Sequence, residues 1–311
     1  MPLEPATQTI VDRAAQAGAI DFARITPSRF RRIFMAGLAA LDVPGPEAAA
    51  TEAEDRTVPG PVGELRIRVY RPPVTGTVPV VVFFHGGGFV IGNVDTHDGT
   101  CRTLCRLAQA VVVSVDYRLA PEHRFPAALD DCEAATRWVA AHADELGADP
   151  SRVGVAGDSA GGNLAAAVTL RARAARRPLL AAQALVYPTV DFTTDRPSIV
   201  ANGQGYLLSA DAVHWFVAQY LGDHDPADPM ASPLLADLAG LPPAVVATAE
   251  FDPLRDEGRD YASALAAAGV PVTAMDFPGL VHGFLGLGAL SPGSARATEE
   301  LWATFAALLR R

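Results

Sequence analysis

Lysine is missing from this chain of 311 residues, and all 25 of its basic side chains are arginine. That absence excludes chemistry run through a side-chain amine: Schiff bases, pyridoxal phosphate attachment and the lysine of a P-loop. Cysteine is nearly as scarce. Cys101, Cys105 and Cys132 are odd in number and show no C-x-x-C spacing, which argues against a disulfide framework or a zinc site. Cys101 and Cys105 lie four apart on an expected helix, yet reduced, partly buried thiols in a reducing cytoplasm are the reading adopted. No apolar run approaches ~18 residues, so no transmembrane helix is expected. The start, MPLEPATQTIVDRAAQ, lacks the basic-then-apolar layout of a secretory signal. Charge of one sign is also short: 25 basic residues face 35 acidic ones, a net −10. This balance argues against nucleic acid or an anionic membrane as partner.

What is present is apolar material. Half the residues are hydrophobic and 19% are charged, a composition that excludes a disordered chain and can fill a large core. Leu65 to Tyr70 alternates with period two and reads as a half-exposed strand. Val78 to Phe84 is continuously apolar after its proline, as a strand covered on both faces is, and Val111 to Val115 looks the same despite Ser114. Further buried strands are expected at Arg152 to Ala156, Ala184 to Tyr187, Val245 to Thr248 and Val270 to Phe277. Helical patterns fall near 97–109, 126–146, 161–175, 255–268 and 294–310. The alternation predicts an α/β fold, a mostly parallel sheet flanked by helices.

Two regions fit that alternation poorly. Residues 1–50 carry helix-like patterns ahead of the first strand. Residues 190–240 are rich in Pro, Asp and Gly, with one helix-like piece at Ser209 to Leu221. Both contain apolar helices that need a surface to cover, so they read as a lid over the site rather than a plain surface excursion.

The sharpest chemical signal is Gly157-Asp158-Ser159-Ala160-Gly161, placed after a strand and opening a helix. That is the context of a G-x-S-x-G nucleophile elbow. The bend is tight, so the positions two before and two after the serine must lack side chains. The helix N-terminus behind it favours developing negative charge. The second signal is His85-Gly86-Gly87-Gly88-Phe89, directly after an apolar strand. Its glycines let backbone N–H groups turn toward a ligand and, with Ala160, form an oxyanion hole from Gly86, Gly87, Gly88 and Ala160. His85 itself reads as structural.

A serine nucleophile needs a base, and the base an orienting acid. Of the seven histidines, His282 follows a late core strand. His97 and His142 read as helical and peripheral, His214 and His224 fall in the lid region, and His123 precedes the elbow. Asp252 sits at the carboxyl end of a strand, where ligands gather in open α/β sheets. Glu250 is its rival; Asp256 and Asp260 read as solvated helix positions. The order Ser159, Asp252, His282 matches Ser…Asp/Glu…His.

The chain resembles the bacterial hormone-sensitive-lipase-like (family IV) esterases of the α/β-hydrolase fold-3 group. The resemblance rests on HGGGF (85–89), DYRLAPEHRFPAALDD (116–131), GDSAGGNLAA (157–166), DPLRDEG (252–258) and HGF (282–284). It implies an α/β-hydrolase fold with a helical cap made from residues 1–50 and an insertion at about 190–240 in a catalytic domain of 51–311. It implies a carboxylesterase acting on short- to medium-chain acyl esters, with Ser159 as nucleophile, His282 as base, Asp252 as orienter and no metal or cofactor. It also implies a homodimer through an edge strand, for which Val270 to Phe277 is the candidate. Phe89, Phe192, Tyr206, Leu207, Phe216, Leu280 and Phe284 are candidate acyl-pocket lining or ordinary core. An amidase would use the same triad, and a ligand receptor on this scaffold would lack the histidine.

Overall fold

The apolar runs form strands where their pattern places them. A computed structural model describes residues 2–18, 20–41, 51–177 and 179–310. The strands are β1 (Glu52–Gly60), β2 (Gly63–Arg71), β3 (Val78–Phe84), β4 (Val111–Val115), β5 (Ala148–Asp158), β6 (Ala182–Val186), β7 (Ala244–Phe251) and β8 (Val272–Val281). They build one sheet in the order β1-β2-β4-β3-β5-β6-β7-β8. From β4 to β8 every pairing is parallel, and β1 and β2 pair antiparallel at one end.

The helices are α1 (Pro5–Gln16), α2 (Pro27–Leu41), α3 (Asp98–Ala108), α4 (Ala127–Ala141), α5 (Ala160–Ala175), α6 (Pro197–Asn202), α7 (Ala210–Leu221), α8 (Arg255–Ala267) and α9 (Pro292–Leu309). Because successive side chains of a strand point to opposite faces, β3 feeds two cores. Val80, Val82 and Phe84 pack with α4, α5 and α8. Val81 and Phe83 pack with α3 and α9. A strand buried on both sides must be apolar throughout, which is why its sequence does not alternate.

Sequence pattern missed β1. Its residues, EAEDRTVPG, are mostly polar and half exposed. As an outer strand its register rests on β2 alone, and Asp55 and Glu54 pair with Arg66, Arg68 and Arg71 of β2. Such a strand is held by its neighbour rather than by an apolar face.

The two regions outside the alternation meet each other. Phe22 and Phe30 pack against Trp215 and Phe216 of α7, with ring centroids 5.5 to 5.7 Å apart. α1 goes elsewhere: Val11 packs with Val281 and Leu287, and the Thr7 hydroxyl lies 3.2 Å from that of Ser291. Residues 42–50 of the expected cap lie outside the described residues.

Strand register assembles the site. Phe84 pairs with Gly157, so the loop after β3 and the turn after β5 emerge side by side. Phe251 pairs with Val281, which brings Asp252 and His282 together.

Candidate active site

Ser159 stands between β5 and α5 with φ 56° and ψ −118°, a conformation that costs a non-glycine residue energy and persists only where packing enforces it. A Cβ on Gly157 would meet the Gly161 carbonyl, and one on Gly161 would run into the carbonyl of Phe84. The steric reading of the two flanking glycines therefore holds. The Ser159 N–H donates to Val186 O at 2.8 Å, pinning the turn to β6.

From the serine a continuous line runs to a buried acid. Ser159 Oγ lies 3.0 Å from His282 Nε2, and His282 Nδ1 lies 2.7 Å from Asp252 Oδ2. Asp252 is fully buried, and its other oxygen accepts the Leu254 N–H at 2.8 Å. A carboxylate only accepts, so Nδ1 carries the proton and Nε2 is left to accept from the serine hydroxyl. Glu250, the rival acid, accepts the Gly279 N–H at 2.8 Å instead.

The glycine loop beside the serine needs backbone that only glycine adopts freely. Gly87 has φ 114° and Gly88 φ 57°. The ring of Phe216 from α7 lies directly on Gly88, where a Cβ would stand. Ala160 is the first residue of α5, so its N–H has no partner within the helix. One expectation needs correction. The Gly86 N–H donates to Asp158 Oδ1 at 2.8 Å, so it is committed and cannot also serve an oxyanion.

His85 is structural, as its sequence position suggested. It is fully buried, its Nδ1 lies 2.8 Å from Gly86 O, and Tyr117 stacks on it at 4.1 Å while donating to His85 O. Burial pushes its pKa down to about 3, so the ring is neutral. His97 is not peripheral. Sitting just ahead of α3, it brings Nε2 to 3.5 Å from Asp158 Oδ1. Burial raises the Asp158 carboxyl, but the charge of His97, a hydrogen bond from it and the Gly86 amide outweigh that and hold it below the ordinary range. The motif hinted at this, since a buried aspartate beside Ser159 needs a counter-charge, but nothing in sequence order points to residue 97. His214 and His224 make surface pairs with Asp195 and Asp228, and His142 stacks on Trp138.

Tyr187 also escaped the sequence reading. It follows β6 with φ 37°, and its ring lies 4.6 Å from that of His282. Of the expected lining residues, Phe89, Leu280 and Phe284 are buried core. Phe192 lines a cavity of about 220 Å³ between α7 and the chain after β6, together with Ile199, Val213, Val217 and Pro253, the residue next to Asp252; Ser159 and His282 do not line it. Glu257 of the DPLRDEG segment accepts the N–H groups of Val190 and Asp191 at 2.9 and 3.0 Å, which anchors the start of that excursion.

Residues 81–286 match the family model described as the alpha/beta hydrolase fold. The chain belongs to this family. Within it, relatives and solved structures place this α/β hydrolase among the hormone-sensitive-lipase-like esterases. It is 50% identical over 277 residues to the carboxylic ester hydrolase LipN of Mycobacterium tuberculosis, covering 86% of this chain and 73% of that one. It is 42% identical over 233 residues to an ethyl acetate hydrolase of Pseudomonas putida, covering 73% of each. A hyperthermophilic esterase from Pyrobaculum calidifontis superposes with a TM-score of 0.93 at 42% identity, over 99% of both chains. No helix among the described residues is long and apolar enough to cross a membrane.

Proposed function

We propose that Ser159, His282 and Asp252 hydrolyse short- to medium-chain acyl esters in two acyl-transfer steps. The observation that carries this reading is the unbroken line of hydrogen-bond contacts from Ser159 Oγ through His282 to buried Asp252. Ser159 Oγ attacks the ester carbonyl as its proton passes to His282 Nε2. The tetrahedral adduct collapses, its bond to the alkoxy oxygen breaks, and His282 protonates the leaving alcohol. Water then repeats the sequence on the acyl-enzyme, giving the acid and free serine. Asp252 holds the tautomer and balances the imidazolium. The N–H groups of Gly87, Gly88 and Ala160 serve the developing oxyanion.

The preference for short acyl groups is supported by the ethyl acetate hydrolase relative. Of the expected cap, residues 1–50 and about 190–240, we assign α2 and α7 to a cap over a catalytic domain of 51–311, on the strength of the aromatic cluster that joins them, while α1 packs on the catalytic domain. The free, buried thiols of Cys101, Cys105 and Cys132 suit a reducing cytoplasm. β8 is an outermost strand and is our candidate for pairing two copies in a homodimer. A monomer mass by light scattering at micromolar concentration removes that assignment.

The deciding test is hydrolysis of p-nitrophenyl esters from acetate to palmitate by the wild type and Ser159→Ala. Activity that peaks at short chains and disappears in the variant is expected. A folded Ser159→Ala that retains activity overturns the assignment.

A further inference from the structure

Asp158 lies next to the nucleophile in the chain, takes no part in the triad and is 7% exposed. A carboxylate in such a place is costly unless it is hydrogen-bonded and paired. Its Oδ1 accepts the Gly86 N–H at 2.8 Å and faces His97 Nε2 at 3.5 Å.

The protonation of His97 follows from counting hydrogens. Its Nδ1 lies 2.9 Å from Thr96 Oγ1. Thr96 donates its single hydroxyl hydrogen to Asn93 O and accepts the Asn93 N–H, both at 2.9 Å. That leaves Thr96 one lone pair and no hydrogen, so Nδ1 must be the donor. Nε2 faces a carboxylate, which also only accepts. A hydrogen on each ring nitrogen matches the acceptor that each one faces, and this is the arrangement proposed below. Other charged groups nearby are spoken for: Asp98 pairs with Arg68 and Arg102 and accepts from Tyr70. The His85 ring, 5.4 Å from that of His97, is neutral.

We propose that His97 and Asp158 form an imidazolium–carboxylate pair behind the oxyanion loop, and that both are positioning residues for the transition state. By holding the Gly86 N–H, Asp158 fixes the peptide planes that follow, so that the amides of Gly87 and Gly88 face the oxyanion. His97 cancels the Asp158 charge, which would otherwise oppose a second negative charge developing beside it. The pair touches no reacting atom, and it rests on the assignment of Ser159 and the loop given above.

Two experiments test it. In the wild type, ¹⁵N spectra of labelled histidine, with His97 assigned by its loss in His97→Gln, should show both ring nitrogens protonated at pH 7. A neutral tautomer there overturns the inference. In kinetics, His97→Gln and Asp158→Asn should lower kcat by between about tenfold and the ~10²–10³ that loss of an oxyanion donor costs. KM should stay within about twofold, and inactivation by a phosphonate transition-state analogue should slow in parallel. The double variant should be no worse than the poorer single one, because the two act as a unit. Ser159→Ala, run alongside, should be inactive. Activity there overturns the site assignment and this inference with it, whereas an inactive Ser159→Ala beside folded, unimpaired pair variants overturns the inference alone.

Discussion

Two histidine–aspartate pairs flank Ser159, and they differ in what the second ring nitrogen meets. His282 turns Nδ1 to Asp252 and Nε2 to the serine hydroxyl, a hydrogen that can be shared. His97 turns Nε2 to Asp158 and Nδ1 to a threonine oxygen whose hydrogen is already given away. The first ring can stay neutral and accept a proton. The second is a donor at both ends and has no room for base chemistry. In the roles we propose, the same two residue types give a base on one side of Ser159 and a fixed cation on the other. The neighbour of the outer nitrogen decides, not the aspartate.

The comparison breaks most visibly at His282. His282→Ala should cost on the order of 10⁶-fold in kcat, against the much smaller loss for His97→Gln. Equal losses, measured by initial rates on p-nitrophenyl acetate, would place both rings in the chemistry. Asp252→Asn should cost about 10⁴-fold, because an amide N–H facing Nδ1 selects the wrong tautomer. Asp158→Asn keeps an acceptor for Gly86 and should cost far less in the same assay. Gly88→Ala should lower kcat by about 10²-fold, since a side chain at φ 57° is strained and would collide with Phe216. That loss, with little change in KM, would show that the loop held by the second pair is what stabilises the transition state.

A third buried acid sharpens the contrast. Glu257 has no cation in contact among the described residues, and burial, only partly offset by the amides of Val190 and Asp191, pushes its pKa from 4.5 up to about 8. Its folded value lies above the unfolded one, so the folded chain holds the extra proton between those two pH values. Stability therefore falls as pH rises from about 4.5 to about 8, and the cost is complete above that. Urea titrations at pH 5 and pH 8.5 should show a drop on the order of a few kcal/mol in the wild type that Glu257→Gln lacks. The smallest effect is expected for Thr96→Val, which removes the acceptor of the His97 Nδ1–H and should lower kcat by only a few-fold. An unchanged kcat there would show that Asp158 alone fixes the protonation of the ring.

Much of this was readable from residue order. The apolar runs at Val78–Phe84 and Val111–Val115 became β3 and β4 without change of bounds, because strands covered on both faces leave little room for polar side chains. Ser159, Asp252 and His282 could be named because each follows a strand at its carboxyl end. The polar strand β1 could not be read, since its partner rather than its own pattern makes it a strand. Nor could His97, which reaches Asp158 only because β3 and β5 pair in register and the chain from the loop after β3 folds back to start α3.

The sequence by itself determined the local chemistry: which serine sits on a strained turn, which glycines must stay bare, and which strands are buried. These depend on neighbours within a few residues, where sterics and periodicity act directly. The tertiary structure alone decided which amides are left free and which histidine carries a charge. Gly86 is withdrawn from the proposed oxyanion hole by an acid distant in the chain, and the charge we propose for His97 comes from a carboxylate facing one ring nitrogen and a committed hydroxyl facing the other. Protonation is set by whatever faces a group across space, and the order of residues along a chain does not record that.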